Sequence, residues 1–407
     1  MKPGTKLSIF ILLISVLFTC FVVASSGKGK ISTILSPFSK KSSIFSFFIK
    51  HEKPKKIIYG YLPYWSFEDI KYIKLDELTN IAYFGAYLSD DGNFEEYTTS
   101  EDGTQVKEPG YAIWKDSKDL TSLINKCNQE GVRFAFTVVA HKDEKIDKFL
   151  DCKDCWNTLL KNLISELNFR GIKDVNLNFE YGGETDPQRA NEFSELTKYL
   201  NTELDKVFGD SFLVVSAFAD STYAPRISSD LDNLGRYADG IFIMGYDFHR
   251  PASDSVGPVS PILGNEHNLT TVLNDFLAKI PPNKIILGLP YYGYNWVVSD
   301  TSPDAKTIKD DEDSPLAESQ TYDSVMNTIL DTDPEIKWND EAKSPYFSYV
   351  RPESGELRTV YFENEDSLKA KYELVKQKGL AGVGIWALGY DGGYSELWDV
   401  LYDEFIR

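Results

Sequence analysis

Ten residues, Gly171-Ile-Lys-Asp-Val-Asn-Leu-Asn-Phe-Glu180, constrain this chain most. Val175, Leu177 and Phe179 alternate with Asn176, Asn178 and Glu180, the period-2 pattern of a β-strand with two distinct faces. Amphipathic segments of helical length flank the strand. Its polar face is therefore not simply turned to water: the strand belongs to a parallel βα architecture whose sheet is covered by helices. In a closed parallel barrel the apolar row faces the helices and the polar row faces the barrel interior, where polar groups are costly unless partnered. Barrel active sites gather at the carboxyl ends of strands. Glu180 stands at that end and reads as chemistry.

The rest of the chain repeats the alternation of strand and helix. Strands are expected at Ile57–Leu62, Thr79–Tyr87, Val132–Ala140, Asp174–Glu180, Phe212–Ala219, Gly240–Tyr246, Lys284–Pro290 and Leu380–Leu388. Helical patterns fall near Asp119–Gln129, Trp156–Phe169, Pro187–Phe208, Leu269–Lys279, Ser367–Lys378 and Tyr394–Phe405. Pro187 suits an early helical position behind Thr185 or Asp186 as cap, and Gly379 suits a helix stop. Eight strands with intervening helices predict an α/β fold, a (β/α)8 TIM barrel over residues 57–407. About ninety residues separate the seventh and eighth strands, too many for one helix. Tyr346–Val350 and Arg358–Phe362, with a turn at Ser354-Gly355, read as short strands. A small α+β insertion is expected over about 294–365, walling one side of a cleft at the barrel mouth.

The amino terminus differs in character. Lys2 and Lys6 precede an uncharged run, Leu7 to Ala24, and then Ser25-Ser26-Gly27, so residues 1–24 read as a signal peptide or as a membrane anchor. Both readings place the body outside the cytoplasm, secreted or anchored. Residues 25–56 form a basic Ser/Lys-rich linker suited to anionic lipid. Residues 1–56 carry net +9 and the remainder net −28, giving −19 overall. An acidic body argues against nucleic acid as a partner. Cys20 falls in the leader; Cys152 and Cys155, spaced C-x-x-C, allow a disulfide, with Cys127 left over. No second pair suggests zinc, and His141 and His249, lone histidines near strand ends, read as structural. A monomer without metal or organic cofactor is expected.

Other strand ends bring further groups to the same rim. The sixth strand ends Met244-Gly-Tyr-Asp247, the eighth carries Ile385-Trp386-Ala387, the first Gly60-Tyr61-Leu-Pro-Tyr-Trp65 and the second Tyr83-Phe84. Carboxylates, a tyrosine and an aromatic floor suit a pyranose with a polar substituent, because aromatic faces pack on sugar C–H surfaces while polar groups fix orientation. These motifs resemble glycoside hydrolase family 18, the chitinase-like barrels. The resemblance runs from about Ile57 to the carboxyl end and also takes in Gly257-Pro-Val-Ser-Pro261, Leu287-Gly-Leu-Pro-Tyr-Tyr-Gly293 and Gly384-Ile-Trp-Ala-Leu-Gly-Tyr-Asp391.

The resemblance implies a substrate-assisted, retaining glycosidase acting on N-acetylglucosamine-containing polysaccharide, in which the substrate's 2-acetamido carbonyl replaces an enzyme nucleophile. The family's fourth-strand motif, D-G-x-D-x-D-x-E, reads here Lys173-Asp-Val-Asn-Leu-Asn-Phe-Glu180. The general acid maps onto Glu180, and the aspartate positions map onto Lys173, Asn176 and Asn178. Asn178 takes the place of the carboxylate that orients the acetamido N–H and stabilises the oxazolinium ion; its amide oxygen still accepts that N–H but adds no charge. Family 85 endoglycosidases resemble this site in carrying Asn there. With one fewer buried carboxylate, Asn176 relieves upward pressure on the Glu180 pKa. The resemblance thus assigns Glu180, Asn178, Tyr246 and Asp247 to catalysis, and Tyr61, Phe84, Asn176, Met244 and Trp386 to substrate binding. Chitin-type polymer and the peptidoglycan strand both fit, as does a sugar-binding protein that has lost turnover.

Overall fold

The computed structural model describes residues 53–100, 102–310 and 316–407. The leader 1–24 and most of the basic linker lie outside the described residues. Eight strands, Ile57–Pro63, Asn80–Tyr87, Arg133–Ala140, Asp174–Phe179, Leu213–Phe218, Gly240–Met244, Ile285–Pro290 and Gly382–Trp386, close into a barrel in chain order. Every neighbouring pair is parallel, the first strand with the eighth included. The (β/α)8 barrel expected from the sequence is the fold.

The alternation in the fourth strand sorts its side chains as the period requires. Val175, Leu177 and Phe179 join the shell between strands and helices, where the Phe179 and Phe193 rings lie 5.0 Å apart. Asn176 and Asn178 point inward and are buried. Helix Pro187–Phe208 covers this strand. Asp186 caps it by accepting from the Arg189 amide, Pro187 occupies the first turn, and Phe193, Leu196, Leu200 and Leu204 form its buried stripe. Inside the barrel a second cluster, built on Tyr59, Tyr61, Phe84 and Phe242, fills the lower layers. At about 1.5–3 kcal/mol for each large side chain removed from water, these two clusters are the main cohesive term of the domain.

Four helices went unread in the sequence: Pro109–Asp116, Asp143–Asp151, Leu231–Tyr237 and Tyr322–Thr332. The segment between the seventh and eighth strands holds the last of these and an antiparallel sheet, ordered Ala317–Thr321, Tyr292–Val297, Leu357–Tyr361, Ser344–Val350 and Lys337–Asn339. Its first strand begins two residues after the seventh barrel strand ends, so the insertion grows directly from the barrel rim. Cys152 and Cys155 are disulfide-bonded, and Cys127 is a buried free thiol. No helix of the described residues is long and apolar enough to cross a membrane.

Candidate active site

A cavity of about 900 Å³ opens at the carboxyl ends of the strands. Its walls come from the fourth, fifth, sixth and eighth strand ends and from the insertion, which contributes Tyr292, Tyr294 and Ser319. Glu180 lies on it with a third of its side-chain surface exposed (33%). The backbone there is pinned twice. The Glu180 amide donates to the Ala140 carbonyl at 2.7 Å. Asp143, opening the helix after the third strand, accepts from the Gly182 and Gly183 amides at 2.7 and 2.9 Å.

The Glu180 carboxyl has two neighbours on one oxygen. Asn178 Nδ2 donates to Oε1 at 2.7 Å, and His141 Nε2 stands 3.5 Å from the same atom. Burial alone would raise this carboxyl. The hydrogen bond and charge of His141 and the hydrogen bond of Asn178 outweigh that and hold it below the ordinary glutamate range. The donors at the carboxyl set this direction; the relief of upward pressure expected of Asn176 is a separate effect.

Asp247 faces Glu180 from the end of the sixth strand. The hydroxyls of Tyr292 and Tyr294 both donate to its Oδ1, the second at 2.7 Å. Burial against the cleft walls raises Asp247; the two tyrosine hydrogen bonds oppose this, and the Glu180 charge adds to it. The Tyr246 hydroxyl, pushed far up by burial and by the charges around it, remains a protonated donor. Trp386 lies across the base of the cleft, its ring 6.4 Å from Tyr246 and 5.1 Å from Phe84, and its peptide bond to Ala387 is cis.

Glu180, Tyr246, Asp247, Met244 and Trp386 therefore line one cavity, and Asn178 touches Glu180 from below. Three expected sugar contacts lie beneath the cavity lining. Tyr61 is 1% exposed, with its hydroxyl bonded to Ser216 Oγ at 2.7 Å beneath the Trp386 ring. Phe84, 2% exposed, supports the same indole from the side. Asn176 is fully buried and donates to the Val214 carbonyl and Ser216. All three face the barrel interior, as their period requires, and lie among or below the residues that support the cavity floor.

His141, read as structural, is instead a neighbour of the Glu180 carboxyl. Its signal was its place, one residue past the end of the third barrel strand. Trp65 and Tyr390, joined Nε1 to hydroxyl at 2.9 Å, and the stacked pair Tyr223 and His267 at 3.6 Å between ring centroids extend the aromatic rim. Trp65 was read at the rim from its strand-end motif, whereas Tyr390, Tyr223 and His267 were missed, because contacts between loops leave no periodic trace. Among the described residues no cluster of His, Cys, Asp or Glu is arranged to hold a metal ion.

Comparison with known proteins places this geometry. The chain is 23% identical over 335 residues to a cortical fragment-lytic enzyme of Bacillus anthracis, covering 81% of this chain and 68% of that protein. It is 26% identical over 248 residues to a probable di-N-acetylchitobiase of Dictyostelium discoideum, spanning 62% of that protein's length and 55% of its own. A group IV chitinase of Ostrinia furnacalis, solved with allosamidin, superposes with a TM-score of 0.71 at 18% identity, over 86% of this chain and 98% of that one. The sequence model of glycosyl hydrolases family 18 matches residues 57–391, a span that holds all eight barrel strands and every cleft residue named above, and the chain belongs to that family.

Proposed function

We propose that this glycosidase cleaves β-linked N-acetylglucosamine glycans, chitin-type polymer or the peptidoglycan strand, by a substrate-assisted retaining mechanism in the Glu180 cleft. Glu180 protonates the glycosidic oxygen and later takes a proton from the attacking water. The substrate's acetamido carbonyl attacks the anomeric carbon. Asn178 spends its amide N–H on Glu180, which leaves Oδ1 to accept the acetamido N–H. Tyr246 and Asp247 hold the rest of the acetamido group, and Asp247 supplies negative charge near the oxazolinium ion. Met244 and Trp386 shape the apolar base under the sugar ring.

One observation carries this reading: Glu180 is held on Oε1 by neighbours, while no hydrogen bond from the described residues reaches Oε2, so one carboxyl oxygen stays open to a glycosidic bridge. The Asn-for-Asp exchange at Asn178 is part of the proposal, with Asp247 as the remaining carboxylate. The leader expected over residues 1–24 fits a polymer met outside the cytoplasm.

The test is incubation of residues 53–407 with chito-oligosaccharides and with purified peptidoglycan, beside Glu180→Gln. Loss of the general acid should lower kcat about a hundred- to ten-thousandfold while leaving sugar binding, and the first product released should be the β-anomer by NMR. Binding without cleavage, equal in the parent and in Glu180→Gln, would leave a sugar-binding protein instead.

A further inference from the structure

A general acid must carry its proton when the glycosidic bond breaks, yet the Glu180 carboxyl is held below its ordinary range and is ionised near neutral pH. Asn178, its closest partner, is an amide with no proton to yield. The other contact is His141, whose Nε2 lies 3.5 Å from Oε1. Its ring is seated between Phe84 and Tyr87, at centroid distances of 6.0 and 5.8 Å, so the imidazole is held by packing on one side and meets the carboxyl on the other.

Most of the charged groups around this contact are otherwise engaged. Lys145, on the helix after the third strand, is ion-paired with Glu95 of the loop after the second. Asp143 is bound to the Gly182 and Gly183 amides. Tyr181 donates to Asp147, and Tyr87 contributes its ring. Lys142 adjoins His141 in sequence and lines the same side pocket. Across the cleft, Asp247 feels the Glu180 charge. None of these makes a hydrogen bond or ion pair with His141.

We propose that His141 is a positioning residue that shares one proton with Glu180, carrying it on Nε2 before substrate binds and returning it to the carboxyl once a sugar covers the pair. The inference rests on the glycosidase reading above. The Nε2–H bond breaks with its electron pair left on nitrogen, and an O–H bond forms on Glu180. That proton passes to the glycosidic oxygen as the C–O bond breaks. Water then attacks the anomeric carbon as its bond to the acetamido oxygen breaks, and gives a proton to the Glu180 carboxylate, from which it returns to Nε2. One proton circulates and none is consumed. The driving force is water displaced by the sugar: loss of solvent disfavours the charged pair against the neutral one.

The competing account makes His141 only a nearby charge, and the two differ in sign. When two groups share a proton, the limbs of the rate profile belong to the pair. Replacing His141 then leaves Glu180 to hold its proton alone, and the alkaline limb of kcat should fall by about one pH unit or more in His141→Gln. The carboxyl carbon of Glu180, assigned by its loss in Glu180→Gln and followed by NMR, should meanwhile titrate at higher pH in His141→Gln than in the parent. His141→Phe keeps the ring packing on Phe84 and Tyr87 and should give the same pair of shifts if His141→Gln folds poorly. An alkaline limb that rises together with the carboxyl, or one that stays in place, would overturn proton sharing. Absence of turnover on any glycan would sink the hydrolase reading instead. The carboxyl titration still reads the contact without substrate, and an unmoved Glu180 there would overturn the inference.

Discussion

Asp247 is a non-glycine cleft residue in the left-handed backbone region, at φ 62°, a conformation that aspartate and asparagine tolerate better than most side chains. That turn aims its carboxyl back over the cleft, beneath the Tyr292 and Tyr294 hydroxyls. Because burial and the Glu180 charge raise its pKa in the fold, the ionised form is less welcome there than in the unfolded chain. The sign follows. The folded state holds the Asp247 proton to higher pH, so its cost to stability is absent below the ordinary aspartate value. The cost grows as pH rises through the raised one. Asp247→Asn keeps the shape, accepts both tyrosine hydroxyls through its amide oxygen and suits the same φ. It should raise the melting temperature at pH 7, leave it unchanged at pH 3, and lower kcat about a hundredfold or more by removing charge aimed at the oxazolinium ion. Thermal melts at the two pH values, beside kcat at the optimum, check both halves. A variant less stable at pH 7 would show that the carboxylate is a net cohesive group.

At the scale of strands, Phe242 organises the barrel interior. It is fully buried on the sixth strand, its ring edge-on to Tyr61 at 4.8 Å, and glycines face it from the seventh and eighth strands. A methyl group at Gly288 or Gly384 would overlap the Phe242 ring. Gly384→Ala should therefore cost about 1–3 kcal/mol by overpacking, read as a lower denaturant midpoint, and Gly384→Ala with Phe242→Leu should recover part of the loss. These strands were legible because parallel strands buried on both faces are continuous apolar runs with glycine and proline at their ends. Helix Asp143–Asp151 was not: nine residues long, it buries only Ile146, Phe149 and Leu150, too short a stripe to rise above its charges. The same limit governs the cleft. Period 2 assigned Asn176 to the interior face, and Tyr61 and Phe84 came from strand-end motifs, but neither signal carries depth. Which layer meets a ligand depends on strand stagger and on how the aromatic rings stack. Glu180 was legible because it ends its strand, whereas the contact of His141 with it joins two strands and has no local signature.

At the scale of the whole molecule, the insertion must stay fixed to the barrel for Tyr292 and Tyr294 to hold Asp247. A buried ion pair helps to tie the two. Lys371, on the helix Glu365–Gln377 that precedes the eighth strand, is wholly inaccessible and donates to Glu363 at 2.6 Å and to the Lys343 carbonyl at 3.3 Å. Ser344, which begins a strand of the inserted sheet, donates to the other Glu363 oxygen at 3.4 Å. Two charges withdrawn from water lose hydration that their mutual attraction only partly offsets, so the pair as a whole adds little cohesion, yet removing one partner strands the other. Lys371→Met should cost about 3–5 kcal/mol, because Glu363 is left charged and buried. Adding Glu363→Gln should return a large part of that, since a neutral amide can still accept from Ser344 and carries no charge to bury. Chemical denaturation of both single variants and the double closes the cycle. Losses that simply add would mean that the two groups act separately and that apolar packing, centred on Trp296 and Tyr361, holds the insertion on its own. Non-additive losses, with Lys371→Met also lowering kcat, would instead make this pair a support for the cleft wall.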